Sequence, residues 1–200
     1  MNSGDKEHDL PLSELTAISS IDGRYAGRAK RLRNYFSEYA IIKYRLKAEI
    51  EWLLALSAHP AIAEVPAFRE EDRAALVAIV SDFDESSARR VKDIEKTTNH
   101  DVKAVEYFIK EKMTEGSLKE HTGAISEFVH FACTSEDITN LAYAQALGRS
   151  RDSVMLPAMD GLIDKLRGLS HEHAALPMMS RTHGQPATPT TLGKEIANFT

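Results

Sequence analysis

The stretch Ser180-Arg181-Thr182-His183-Gly184-Gln185-Pro186-Ala187-Thr188-Pro189 reads as a short loop with helix-like sequence on both sides. Gly184 tolerates positive φ, and Pro186 and Pro189 lock φ, so the backbone path here is restricted. Such a loop holds His183 at a defined angle. An imidazole titrates closest to neutrality of all side chains, so a fixed one is a natural proton donor or acceptor. A lone histidine between helices would pass for a solvated turn residue. The polar neighbours Arg181, Thr182 and Gln185 point instead to chemistry at this position.

Outward from this loop, helical periodicity dominates. Ile42, Leu46, Ile50, Leu53, Leu54 and Ser57 form one stripe, with Lys43, Arg45, Lys47, Glu49 and Glu51 between them. Further stripes run through Leu76, Ile79, Val80 and Phe83, and through Val102, Val105, Phe108, Ile109 and Met113. Val91 and Ile94 mark a short helix, and Ile125, Phe128, Val129 and Ala132 another. Ile138, Leu141, Ala142 and Gln145 begin a helix, and Met155, Met159, Leu162, Ile163, Leu166 and Leu169 make a long one. Pro157 sits near that helix's start or marks a bend. Leu192, Ile196 and Phe199 begin a last amphipathic helix, and the absence of a stop signal after it reads as an N-terminal piece of a longer protein. Strand alternation is absent, except for a few residues near Leu15–Ile18.

The expected fold is all-α. A flexible segment, 1–14, precedes an N-terminal helical domain, 15–115. The Gly116–Gly123 stretch reads as a linker, and 116–200 as the first part of a long helical bundle. Apolar residues make up 42% and charged residues 28% of the 200, an ordinary globular balance. No apolar run has the length of a membrane span, and the net charge of −5 argues against nucleic acid as the main partner. Residues 1–10 lack the apolar core of a secretory signal, and Cys133 is the only cysteine, so a cytoplasmic protein is expected.

Two other segments look like helix starts. Thr98-Asn99-His100-Asp101 and Thr134-Ser135-Glu136-Asp137 each place a threonine three residues before an aspartate, the spacing of a capping box. Helix N-termini attract carboxylates and phosphates, although a cap alone is ordinary. Two caps plus the His183 loop suggest three loops converging on an anion with more than one carboxylate. An anionic substrate needs local cations, such as Arg24 or Lys103. His130 and Cys133, three apart on an expected helix, are half of a zinc-like pattern that lacks its second half, so a structural role is favoured. His171 and His173 look solvated, and His59 before Pro60 ends a helix. Asp22-Gly23-Arg24-Tyr25 is a turn followed by a cation and an aromatic.

These residues resemble a known family. Residues 180–189 are similar to the second conserved region of the fumarase/aspartase superfamily, and Thr134-Ser135-Glu136-Asp137-Ile138-Thr139-Asn140 to its first. Ile21–Tyr25, Thr97–Phe108 and Glu127–Cys133 resemble, more narrowly, the bacterial-type adenylosuccinate lyase family; the likeness runs from about Leu15 onward. It implies elimination of fumarate from adenylosuccinate, giving AMP, and from the succinylocarboxamide ribotide SAICAR, giving AICAR, in purine biosynthesis. It implies His183 as the general acid. Arg24 and Tyr25 would contact the nucleotide. Asn99, His100 and Asp101 would line the substrate pocket, Thr182 and Gln185 beside His183 would bind the substrate, and Thr134 and Ser135 would bind its succinyl part.

The family uses no metal or organic cofactor and builds each site from several subunits of a homotetramer. Its third region, a Ser-Ser loop followed by Met-Pro-x-Lys-x-Asn-Pro, supplies the general base and is absent from these 200 residues, which are expected to be inactive alone. Two rival readings remain: an argininosuccinate lyase-like relative, and a non-catalytic helical assembly module.

Overall fold

A computed structural model describes residues 11–120 and 122–200; the expected flexible segment 1–14 lies largely outside them. Among the described residues helices predominate and the strands form one two-stranded hairpin; the chain divides into two compact units, residues 1–147 and 148–200. Leu15–Ile18 forms turns rather than a strand, and Leu15 and Ile18 are exposed.

The first unit is organised around α1 (Glu38–Ala58). Ser37 caps it by accepting the Ala40 amide at 3.2 Å. It ends at His59, which Pro60 forces out of the helical region. One face carries Ile42, Leu46, Ile50 and Leu53 into the main core. That core also takes Leu76 from α2 (Glu70–Ser81), Val91 and Ile94 from α3 (Glu85–Thr98), and Val105, Phe108 and Ile109 from α4 (Asp101–Met113).

The other face of α1 is buried too. Ala40 and Tyr44 pack on Ala142 and Ala146 of α5 (Ser135–Ser150), and Ala48 packs on Val102 and Ile138. Small side chains let the helix backbones approach closely. Because α1 is covered on two sides, Arg45 and Glu49 are buried, although their spacing reads as a solvated face.

Local chemistry sets the boundaries of α3 and α4. Asp84 caps α3 by accepting the Ser87 amide at 2.8 Å, which holds its carboxyl at about 2. At the other end Asn99 adopts a left-handed conformation, φ 50°, as the residue that closes α3. The α4 cap is therefore His100, whose Nδ1 accepts the Lys103 amide at 3.2 Å. The capping box expected from Thr98 does not form: Thr98 still belongs to α3, and its hydroxyl donates to the His100 carbonyl at 3.1 Å.

Two further expectations are corrected. The 116–123 stretch opens as a 3-10 turn, Gly116–Glu120, with Leu118 in the core, so it is packed rather than loose. No single helix spans 125–132. Short helical turns, Thr122–Ile125 and Ser126–Phe128, are followed by His130 and Ala132 at φ 65° and 57°, which no right-handed helix accommodates.

The second unit contains a π-helical turn, Arg151–Met155, then α6 (Leu156–Glu172) with Pro157 in its first turn, as its position allows. Two antiparallel strands follow, β1 (Pro177–Thr182) and β2 (Gln185–Thr191), and then α7 (Leu192–Ala197). The 180–189 stretch is thus a hairpin rather than an irregular loop. Thr191 caps α7 by accepting the Lys194 amide at 3.2 Å. His173, at the end of α6, is half-buried and its backbone carbonyl accepts the Gly193 amide at 3.0 Å, whereas His171 is exposed.

Gly193 fixes where α7 meets α6. A Cβ there would lie 2.2 Å from the Ser170 carbonyl oxygen and 2.6 Å from Ala174 Cα. Both neighbours are backbone, so relief requires the junction itself to move. Gly193→Ala is expected to destabilise this unit by about 1–3 kcal/mol. Thermal unfolding followed by circular dichroism checks this; an unchanged melting temperature would contradict the close approach.

Candidate active site

Asn99, His100 and Asp101 form the two-residue junction of α3 and α4 and the first residue of α4. They line an open cavity of about 580 Å³ together with Arg45, Lys92, Lys96 and Tyr143. Asp101 is held by Arg45, whose Nη1 donates to Oδ2 at 2.7 Å, and by the Val102 amide, which donates to Oδ1 at 2.8 Å. Burial pushes the Asp101 carboxyl up, but the Val102 amide and the Arg45 guanidinium outweigh it and hold the carboxyl below its ordinary value. Asp101 therefore stays ionised and keeps the buried Arg45 neutralised.

His100 joins this group to the start of α5. Its Nδ1 serves as the α4 cap, so the neutral ring carries its proton on Nε2, which lies 3.5 Å from Ser135 Oγ. The Thr134 amide donates to the Asp137 carboxylate at 2.8 Å, the back half of the box expected there. Two of the three expected segments, 99–101 and 134–135, are thus neighbours within one unit.

The third segment belongs to the second unit. The strands pair from Pro177↔Thr191 to Thr182↔Gln185, which leaves His183 and Gly184 as a two-residue turn at φ 49° and 75°. Positive φ at both central residues is the signature of a type I′ hairpin turn, usually made by Asn-Gly. Gly184 adopts it freely, whereas a β-carbon at His183 costs about 1–2 kcal/mol there. The side chain is consequently presented at the hairpin tip, exposed, with Thr182 and Gln185 as the closing pair below it.

Arg24 and Tyr25 stand on a separate turn. The Arg24 guanidinium lies 4.7 Å from the Tyr25 ring centroid, and both are exposed. Gly23 makes the turn possible, because a Cβ there would meet the Glu14 carbonyl oxygen at 2.8 Å. Lys103, a candidate cation for an anionic substrate, is bound to Glu106 at 2.7 Å. Burial would raise the Glu106 carboxyl, but Lys103 and Lys110 hold it below its ordinary value.

The sequence reading missed a row of anchors on α1. Arg45 reaches Asp101, Glu49 reaches His130 Nδ1 at 2.6 Å, and the Trp52 indole donates to the Phe131 carbonyl at 2.7 Å. The spacing 45, 49, 52 is one helical face, and that shared face was the available signal. His130 is thus held by the Glu49 carboxylate. Among the described residues, no group of three His, Cys, Asp or Glu side chains is placed to hold a metal ion, and no helix is long and apolar enough to cross a membrane.

The model of a protein family described as lyase matches residues 23–200. The chain belongs to the lyase family. Among this lyase chain's relatives is the adenylosuccinate lyase of Escherichia coli (strain K12), 53% identical over 189 residues, which are 94% of this chain and 41% of that protein. The adenylosuccinate lyase of Vibrio cholerae is 52% identical over the same shares, and that of Dictyostelium discoideum 47% identical over 96% of this chain and 41% of its own. The lyase chain therefore spans about two fifths of the length of the curated relatives it matches.

Solved structures share the fold. The fumarate lyase of Mesorhizobium sp. BNC1 superposes with a TM-score of 0.62 at 21% identity, covering 85% of this chain and 36% of its own. The 3-carboxy-cis,cis-muconate lactonizing enzyme of Pseudomonas putida gives 0.58 at 22%, covering 85% and 35%. The helical fold of the lyase chain is shared with these two structures.

Proposed function

We propose that this protein is an adenylosuccinate lyase, which releases fumarate from adenylosuccinate to give AMP and from SAICAR to give AICAR. The observation that carries the reading is 53% identity to an adenylosuccinate lyase across 94% of this chain. In this reading residues 15–115 are the N-terminal helical domain and 116–200 open the central bundle of a cytoplasmic homotetramer. The exposed Met155, Met159 and Leu162, four and three residues apart on one side of the helical segment, support subunit packing.

Chemically, a base removes a proton from the carbon beta to the bridging nitrogen. Negative charge then develops on the neighbouring carboxylate, and the C–N bond breaks. Hydroxyls of Thr134 and Ser135 at a helix start are suitable donors to that carboxylate. His183 delivers a proton to the leaving nitrogen, which departs as the amino group of AMP. Asn99, His100 and Asp101 hold the substrate, Arg24 and Tyr25 take its nucleotide, and Thr182 and Gln185 flank the acid. The base lies in the superfamily's third region, outside these 200 residues, and no metal or organic cofactor takes part.

A panel of succinylated amines tests the assignment. The whole protein is expected to release fumarate and AMP in equal amounts from adenylosuccinate. Turnover of argininosuccinate in its place would overturn it.

A further inference from the structure

Glu49 is fully buried, and only one of its carboxylate oxygens has a partner: Oε1 lies 2.6 Å from His130 Nδ1, while Oε2 has no hydrogen-bond partner among the described residues. Such a group costs stability rather than supplying it. Burial pushes its carboxyl up, and Glu106 adds to this, so the site works against the charge it contains. What Glu49 contributes is therefore to be sought in what it holds.

It holds a strained turn. His130 and Ala132 both have positive φ, a conformation that local sequence does not favour at either residue. His130 is anchored by Glu49, Phe131 by Trp52 and Cys133 by packing near Ala48 and Val102, all from α1 or the start of α4. Directly after this turn come Thr134 and Ser135. Ser135 Oγ must stand at its 3.5 Å distance from His100 Nε2, and His100 is placed by α4, whose first residue is bound to Arg45 on the same face of α1.

We propose that Glu49 is a positioning residue: through His130 it sets the 130–135 turn so that Thr134 and Ser135 stand in register with His100. This rests on the reading of those residues as substrate-binding. One helix face thus aligns both segments, with Arg45 fixing one and Glu49 the other.

The test uses the whole protein with Glu49→Leu and Glu49→Gln. Leucine fills a similar volume but leaves His130 Nδ1 without its acceptor, so the Leu variant is expected to melt below the wild-type temperature. Freed of its anchor, residues 129–137 should exchange amide hydrogen about tenfold faster or more, beyond any change shared by the whole chain. KM for adenylosuccinate should rise by about tenfold. Glutamine still accepts from the imidazole through Oε1, so the Gln variant should restore both the local exchange and most of KM.

A Leu variant with unchanged exchange at 129–137, or with exchange quickened there only in proportion to a general loss of stability, would overturn the proposal. So would a Gln variant that behaves like Leu. Absence of wild-type turnover on adenylosuccinate would refute the proposed function instead, and the exchange comparison would still decide the role of Glu49.

Discussion

Replacing His183 by alanine in the whole protein is expected to lower kcat for adenylosuccinate by ~10²–10⁴ and to change KM far less. A proton donor acts in the transition state, where the departing nitrogen gains basicity, and contributes little to ground-state binding. The structure gives the residue an unusual seat. It occupies the first central position of a two-residue hairpin turn at φ 49°, where asparagine or glycine would be easier to accommodate. A strained, exposed imidazole at a hairpin tip stabilises nothing within its own unit, so the variant should fold and melt like the wild type. Steady-state kinetics with circular dichroism separates the outcomes. A rise in KM with kcat unchanged would make His183 a binding residue and remove it from proton transfer.

The second large effect is expected in the core of the first unit. Phe108 is buried at 2% exposure and meets the Phe83 ring edge-on, at 90° and 5.9 Å between centroids. Phe83 in turn packs on Tyr39 at 5.5 Å, and the Tyr39 hydroxyl donates to the Phe83 carbonyl at 2.8 Å. Phe108 thus ties α4 to the α2–α3 connection and to α1. Phe108→Ala removes the ring from a packed site and leaves a cavity, at a cost of about 3–5 kcal/mol. Small domains are stable by only about 5–15 kcal/mol, so this is a large share. Val77, on α2 at 52% exposure, is the control, and Val77→Ala should cost about 0.5 kcal/mol or less. Urea unfolding reads both. Midpoints that shift equally would show that the aromatic cluster contributes no more than a surface contact.

Much of the fold is legible in the sequence. The stripes through Ile42–Leu53 and Val105–Met113 are buried faces of α1 and α4, because one side of each packs on the main core, while Val102 is buried against Ala48 and Ile138. What escaped reading has physical causes. The hairpin at 177–191 shows no apolar alternation because most of it is exposed, so no face selects for apolar side chains. The Thr98 box fits in spacing but loses to Asn99, whose left-handed conformation ends α3 one residue later and passes the cap to His100. Arg45 and Glu49 look like solvent residues because a helix buried on two sides has no polar stripe to contrast with. The turn at 130–132 is set by contacts 79 and 81 residues away in sequence, Trp52 to Phe131 and Glu49 to His130, which no local pattern encodes.

In the candidate site, His183 and the start at Thr134 follow from local sequence alone. The joining of His100 to Ser135 is a tertiary fact, 35 residues apart in the chain.

The convergence of these segments on one substrate is tested most directly by a crystal structure of the whole protein with adenylosuccinate bound. The imidazole of His183 is predicted to lie within about 2.6–3.2 Å of the bridging nitrogen. The hydroxyls of Thr134 and Ser135, from the same or another copy of the chain, should meet a succinyl carboxylate. A bound substrate whose bridging nitrogen faces any other group, with His183 out of reach, would contradict it.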